Sequence, residues 1–186
     1  ENTKRKMDIV GFDACLMNMV EIAYQLRTSA DITVGSEETE PGDGWPYDTI
    51  LTDLTSNPNM TPEQLSSVIV QDYVKSYSSE DVTLSALDLR QASLIAHAVD
   101  QMAKALTKAM KDPAEYAAIT KALNATQSYT IKDFLDLYNL CEEFKSRCKT
   151  KTVKDTAQAT MATIAGNIGK FVISEKHRGK AMARSH

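Results

Sequence analysis

The sequence predicts an α/β fold with a mainly parallel sheet flanked by helices. Three observations lead there: a strand, helix, strand succession in the first 36 residues, short apolar runs at 82–87 and 171–174, and strongly signalled helices between them. Composition agrees. Of the 186 residues 42% are hydrophobic and 25% charged, which suits a folded domain with a core and excludes a disordered chain. No run of about 18 uncharged apolar residues exists to span a bilayer.

The first element is Met7-Asp-Ile-Val-Gly-Phe12, an apolar run of the kind found in a buried parallel strand. Leu16, Met19, Val20, Ala23 and Leu26 then share one helical face, and Asp31 to Ser36 reads as a second strand, completing a βαβ unit. Glu37 to Tyr47, acidic and broken by Pro41-Gly-Asp-Gly44 and Trp45-Pro46, is a loop. A helix follows at about 47–56. Thr61-Pro-Glu-Gln64 supplies an N-cap, a first-turn proline and a capping-box glutamine for a helix at 62–77.

Val82 to Leu87 alternates as a third strand and feeds a helix over 89–111. Asp112-Pro-Ala-Glu115 starts the next helix, Thr130-Ile-Lys-Asp133 starts another that runs to 147, and a last one spans 154–168. Phe171 to Ser174 is a short strand, after which Glu175 to His186 is polar. With no internal repeat and no low-complexity linker, residues 1–186 are expected to form a single domain. Neither end carries a closing element, so that domain is expected to be incomplete. The polar opening Glu1 to Lys6 and the short apolar run behind it are not expected to act as a signal peptide.

Charge is uneven. The net charge of −4 combines 6 Lys/Arg against 17 Asp/Glu in residues 1–100 with 10 against 2 in residues 145–186. The basic end lacks aromatic interleaving and any nucleic-acid reader motif, so it is read as a solvated face rather than a nucleic-acid surface, and no membrane partner is expected.

Cysteines 15, 141 and 148 are too few and too oddly numbered for a disulfide scaffold. The last two are seven apart in a helix, about 10 Å along its axis, which is beyond bridging distance. Cys141 and Cys148 are read as core. No zinc spacing is present, so no metal site is expected. Cys15 differs, because it follows a strand and precedes a helix, where open α/β sheets bind ligands and a helix dipole lowers a thiol pKa. A phosphatase would need arginine six residues on, where Glu21 stands. A thioredoxin-like centre would need a thiol three residues on, where Asn18 stands. Acyl transfer remains, with backbone N–H groups at Cys15 and the helix start as oxyanion donors. None of His97, His177 and His186 has the strand-end, glycine-adjacent setting of a base.

Asp13-Ala-Cys-Leu-Met-Asn-Met-Val-Glu-Ile-Ala-Tyr24, Val34-Gly-Ser-Glu-Glu38, Pro41-Gly-Asp-Gly-Trp-Pro-Tyr47 and Thr83-Leu-Ser-Ala-Leu-Asp-Leu89, in that order and spacing, resemble the clostripain family of cysteine endopeptidases. The resemblance implies a caspase-like sandwich related to gingipains and a His/Cys dyad with Cys15 as nucleophile. It also implies that Asp13 lies at the base of the pocket for the residue before the cleaved bond, and that Asp43 is directed toward that pocket. For Asp43 a plain turn role weighs equally, and for Glu37, Glu38 and Glu40 a solvated loop is expected.

The family's histidine precedes its cysteine and is followed by glycine, and no His-Gly precedes Cys15 here. The resemblance therefore implies a cysteine-bearing second chain, matured from a precursor whose first chain supplies the histidine and cutting after Arg or Lys. It further implies a bacterial protein, secreted or in the cell envelope. No cofactor is expected; calcium, used by some relatives, is left open. A non-catalytic caspase-like binding module is the alternative.

Overall fold

The computed structural model describes residues 5–166 and 170–179. The chain divides into two compact units, one formed by residues up to Ala92 together with the segment from Val172, the other by Ser93–Phe171.

The first unit is built on a four-stranded sheet of Met7–Gly11 (β1), Ala30–Gly35 (β2), Val82–Asp88 (β3) and Val172–Arg178 (β4), in the order β1-β2-β3-β4. Its helices are Val20–Leu26 (α1), Tyr47–Ser56 (α2) and Pro62–Ser76 (α3). The α/β class holds, but the sheet is mixed rather than mainly parallel. β1 and β2 are parallel, with Ile9 opposite Ile32 and Gly11 opposite Val34, whereas β3 is antiparallel to β2 and to β4. The cause lies in the connection. One crossover helix would carry the chain back to the start of the sheet, but two helices in succession, α2 and α3, leave it at the end where β2 finished.

β3 is buried along its whole length, and Ile32, Val34, Val70, Tyr73, Val82, Leu84 and Ala86 form the core beneath α3. β1 is not the buried strand its composition suggests. Met7 and Asp8 are exposed and Ile9 and Val10 half-buried, because among the described residues β1 pairs only with β2. β4 runs four residues beyond its expected end, since pairing with β3 draws the polar stretch Glu175 to Arg178 into the ladder.

Helix α3 begins as expected: Thr61 accepts from the Gln64 N–H while the Gln64 side chain accepts from the Thr61 N–H. α1 starts at Val20 rather than Leu16, because the chain between them turns instead of coiling. Asn18 is the reason. Its buried side chain donates to the Ser85 carbonyl (3.1 Å) and hydroxyl (2.8 Å) on β3, and its N–H donates to the Ser36 carbonyl.

The second unit contains the helices Ala92–Ala109 (α4, entered through a 3-10 turn at Leu89–Gln91), Pro113–Ala125 (α5), Leu137–Arg147 (α6) and Lys151–Ala165 (α7). Met102, Ile119, Cys141, Phe144, Cys148, Val153 and Ala157 pack together as its core. α5 starts at Pro113 with Asp112 accepting from the Ala114 N–H, as expected. α6 does not start at Thr130. Ser128 and Leu135 bridge antiparallel across a turn, and Asp136 caps the helix instead by accepting from the Asn139 N–H at 2.6 Å. α7 starts three residues early, at Lys151; its expected end at 168 lies outside the described residues, as do residues 180–186.

Candidate active site

Beyond β1 and β2 the chain stays paired in an irregular way. Phe12, Leu16 and Asn18 donate their N–H groups to the carbonyls of Val34, Glu38 and Ser36. Leu16 has φ 62°, a left-handed conformation that costs a β-carbon-bearing residue about 1–2 kcal/mol and holds a sharp turn beside Cys15. Anchored by Asn18 below and Phe12 behind, this turn lifts Asp13, Ala14 and Cys15 into solvent.

Cys15 does not sit on a helix N-terminus, because the cap of α1 is Met19, four residues on. Its Sγ instead accepts from the Glu40 N–H at 3.3 Å and lies 3.9 Å from the Glu40 carbonyl. The N–H groups of Leu16 and Asn18 are committed to carbonyls, whereas those of Asp13, Ala14, Cys15 and Met17 make none of the backbone hydrogen bonds that pin the turn.

The loop at 41–46 folds against this turn because Gly11 lets the Trp45 ring lie on β1; a β-carbon at Gly11 would meet that ring at 2.9 Å. Trp45 brings Gly44 beside Asp13. Asp13 Oδ2 accepts from the Trp45 N–H at 3.4 Å and from the Tyr47 hydroxyl at 3.0 Å. Glu40 joins them, its Oε2 accepting from the Trp45 indole N–H at 3.1 Å. Burial pushes the Glu40 acid up to about 8, helped by the neighbouring Asp13 carboxyl. The Tyr47 hydroxyl is raised by burial and then by Asp13.

Asp13 and Cys15 are thus brought together. Asp43 is exposed and lines a groove of about 350 Å³ with Gly44, Trp45, Tyr77 and Glu80, whose lining includes neither Asp13 nor Cys15. Glu37 and Glu38 are not solvated as expected: they are 3% and 6% exposed, because residues 36–38 continue β2 under the turn. Cys141 and Cys148 are buried core thiols, Cys141 pushed up to about 12 and Cys148 upward, chiefly by burial. His97 is exposed on α4, beside Leu94, Gln101 and Asp155. His177 lies on β4 with its ring against Glu175; two strand spacings of about 4.8 Å separate β4 from β2. His186 lies outside the described residues. Asn18, Glu40 and Gly44 are contributors that the residue pattern did not single out. Asn18 alone carried a signal, as a polar residue inside an apolar stretch. Among the described residues no group of three or more His, Cys, Asp or Glu converges as metal ligands, and no helix is long and apolar enough to cross a membrane.

The clostripain family model matches residues 2–184, and the chain belongs to that family of cysteine proteases. Clostripain of Hathewaya histolytica is 28% identical over 197 residues, covering 85% of this chain and 38% of the relative, so the chain spans about two fifths of that protein. A clostripain from Bacteroides thetaiotaomicron, solved in complex with the peptide inhibitor BTN-VLTK-AOMK, superposes with a TM-score of 0.66 at 17% identity, over 95% of this chain and 70% of the other. An inactive zymogen C11 protease from Parabacteroides distasonis gives 0.62 at 22% identity, over 94% and 45%. These two share the caspase-like fold.

Proposed function

We propose that this chain is the cysteine-bearing portion of a single peptidase domain that hydrolyses peptide bonds after Arg or Lys. The observation that carries the reading is the shared exposure of Asp13 and Cys15 on one braced turn, with Asp13 held by the Trp45 N–H and the Tyr47 hydroxyl. A carboxylate held there favours a cation and disfavours neutral or acidic side chains. Lysine is the last residue of the inhibitor bound by the Bacteroides thetaiotaomicron clostripain, which supports a basic residue before the cleaved bond.

In this reading Cys15 Sγ attacks the substrate carbonyl and forms a thioester as the leaving amine takes a proton from a histidine. Water then releases the acid and restores the thiol. Backbone N–H groups of the turn, that of Cys15 among them, serve as the oxyanion donors. The histidine comes from a companion chain of the same precursor, released by self-cleavage, with its strand along the outer edge of β1. Asp43 extends the negative potential toward the pocket, and the protein acts outside the bacterial cytoplasm.

The test uses peptides that differ only at the residue before the bond, with the full protein that contains this chain. Efficient turnover after Arg and Lys is expected, and none in Cys15→Ala. Asp13→Asn removes a charge-assisted contact of about 2–5 kcal/mol, a loss of roughly 30-fold or more in kcat/KM. Turnover after Asp or Leu, or an unchanged Arg preference in Asp13→Asn, would overturn the pocket assignment. A second reading, a non-catalytic binding module, draws on the pairing of His177 with Glu175 rather than with Cys15. It predicts peptide binding with no turnover.

A further inference from the structure

Glu40 touches both halves of the candidate site. Its backbone N–H donates to Cys15 Sγ, and its carboxyl lies against that of Asp13 while accepting from Trp45 Nε1. Its other oxygen, Oε1, is buried with no N–H or O–H donor directed at it. Two carboxyls in contact and partly withdrawn from water do not both ionise without a cation between them. Among the described residues no Lys or Arg forms an ion pair with Asp13, Glu40 or Asp43.

A second observation points to the same place. Tyr73 on α3 is fully buried, its hydroxyl has no hydrogen-bond partner, and it stands in the field of Glu40, Asp13 and Cys15. The other groups around the pair are acids too: Tyr47 of α2, Tyr77 at the end of α3, and Asp43 and Glu80 acting on Tyr77. The side chains gathered around the pair are therefore acceptors and weak acids, with no cationic side chain among them.

We propose that Glu40 is a specificity-determining carboxyl of the pocket, sharing a proton with Asp13 when the pocket is empty and releasing it to solvent when an Arg or Lys side chain enters. The exchange balances charge, with one cation in and one proton out to water or buffer. Two carboxylates then face the guanidinium or ammonium group, the arrangement that favours a fork of parallel N–H donors. Burial and the Asp13 charge hold the empty-pocket acid at about 8, so at neutral pH the proton is mostly in place before binding. The inference rests on the reading that Asp13 receives the basic side chain.

The experiment is calorimetric titration of the full protein with acetyl-arginine amide at pH 7, in two buffers of different ionisation enthalpy. Close to one proton released per ligand is expected. Affinity should strengthen by up to about tenfold per pH unit between pH 6 and 8 and level off above. Glu40→Gln keeps an acceptor for Trp45 and a neutral partner for Asp13, so it should bind with no proton release and with affinity independent of pH. Binding that depends on Asp13 but releases no proton from the wild type, a readout that needs no variant, would overturn the Glu40 role and leave the pocket reading intact. Equal proton release in Glu40→Gln would do the same. Absence of any binding that distinguishes wild type from Asp13→Asn would overturn both.

Discussion

Replacing Gly44 with alanine tests whether the loop at 41–46 sets the position of Asp13. Gly44 has φ +65°, and a β-carbon there would stand 2.9 Å and 3.0 Å from the two Asp13 carboxyl oxygens. The backbone at Gly44 cannot relax freely, since its N–H donates to the Pro41 carbonyl and its own carbonyl accepts from the Tyr77 hydroxyl at 2.7 Å. The left-handed conformation alone costs alanine about 1–2 kcal/mol, a fall in Tm of roughly 2–8 °C for a chain of this size. Moving the carboxylate away from the Trp45 N–H and the Tyr47 hydroxyl adds about 1.5–3 kcal/mol for each hydrogen bond lost, less for the exposed Tyr47 contact. Gly44→Asn separates the two effects, because asparagine tolerates the left-handed region yet carries the same β-carbon. Thermal unfolding and turnover of an Arg peptide are the assays. Gly44→Ala should lose both stability and at least about tenfold in kcat/KM, whereas Gly44→Asn should recover most of the stability and little of the activity. A Gly44→Ala protein with unchanged Tm and unchanged KM would refute the claim that Gly44 is what lets Asp13 sit where it does.

Two further predictions concern the thiols and the buried acid. Iodoacetamide at neutral pH, followed by peptide mass mapping, should label exposed Cys15 well before Cys141 and Cys148, which are 0% and 1% exposed with thiol pKa values raised by burial; equal labelling of Cys148 would remove Cys15 as the reactive thiol. Glu40, raised from 4.5 to about 8, holds in the folded state a proton that the unfolded chain gives up. Its contribution is therefore present below about pH 4.5 and is lost as pH rises toward 8. Urea unfolding should show wild type losing ground to Glu40→Gln across that window by at most about 1.4 kcal/mol per pH unit, reduced by the residual solvent contact of the carboxyl; a difference that stays flat or grows in the other direction contradicts the assignment.

The sequence by itself determined what short-range chemistry controls. The capping box of Thr61 and Gln64 and the Asp112-Pro113 start work within four residues of chain, so both helices begin where their residues say. The apolar runs of β1 and β2 gave a parallel pair, and the ordered motifs around Asp13 and Cys15 pointed to the family. Only the tertiary structure decided the rest, because each remaining feature depends on a partner far away in sequence. Asn18 ends the turn after Cys15 by reaching Ser85 on β3, which holds α1 back to Val20. Glu175 to Arg178 are polar enough for a loop, yet β3 offers them a hydrogen-bonding edge and they take it. Thr130 is a sound cap by local rules, but the bridge between Ser128 and Leu135 engages that segment first and hands the role to Asp136. Glu40 follows the same logic: in an acidic, glycine-rich stretch it reads as solvated, and it becomes a partly buried acid only because Gly11 admits the Trp45 ring and Trp45 carries the loop onto Asp13.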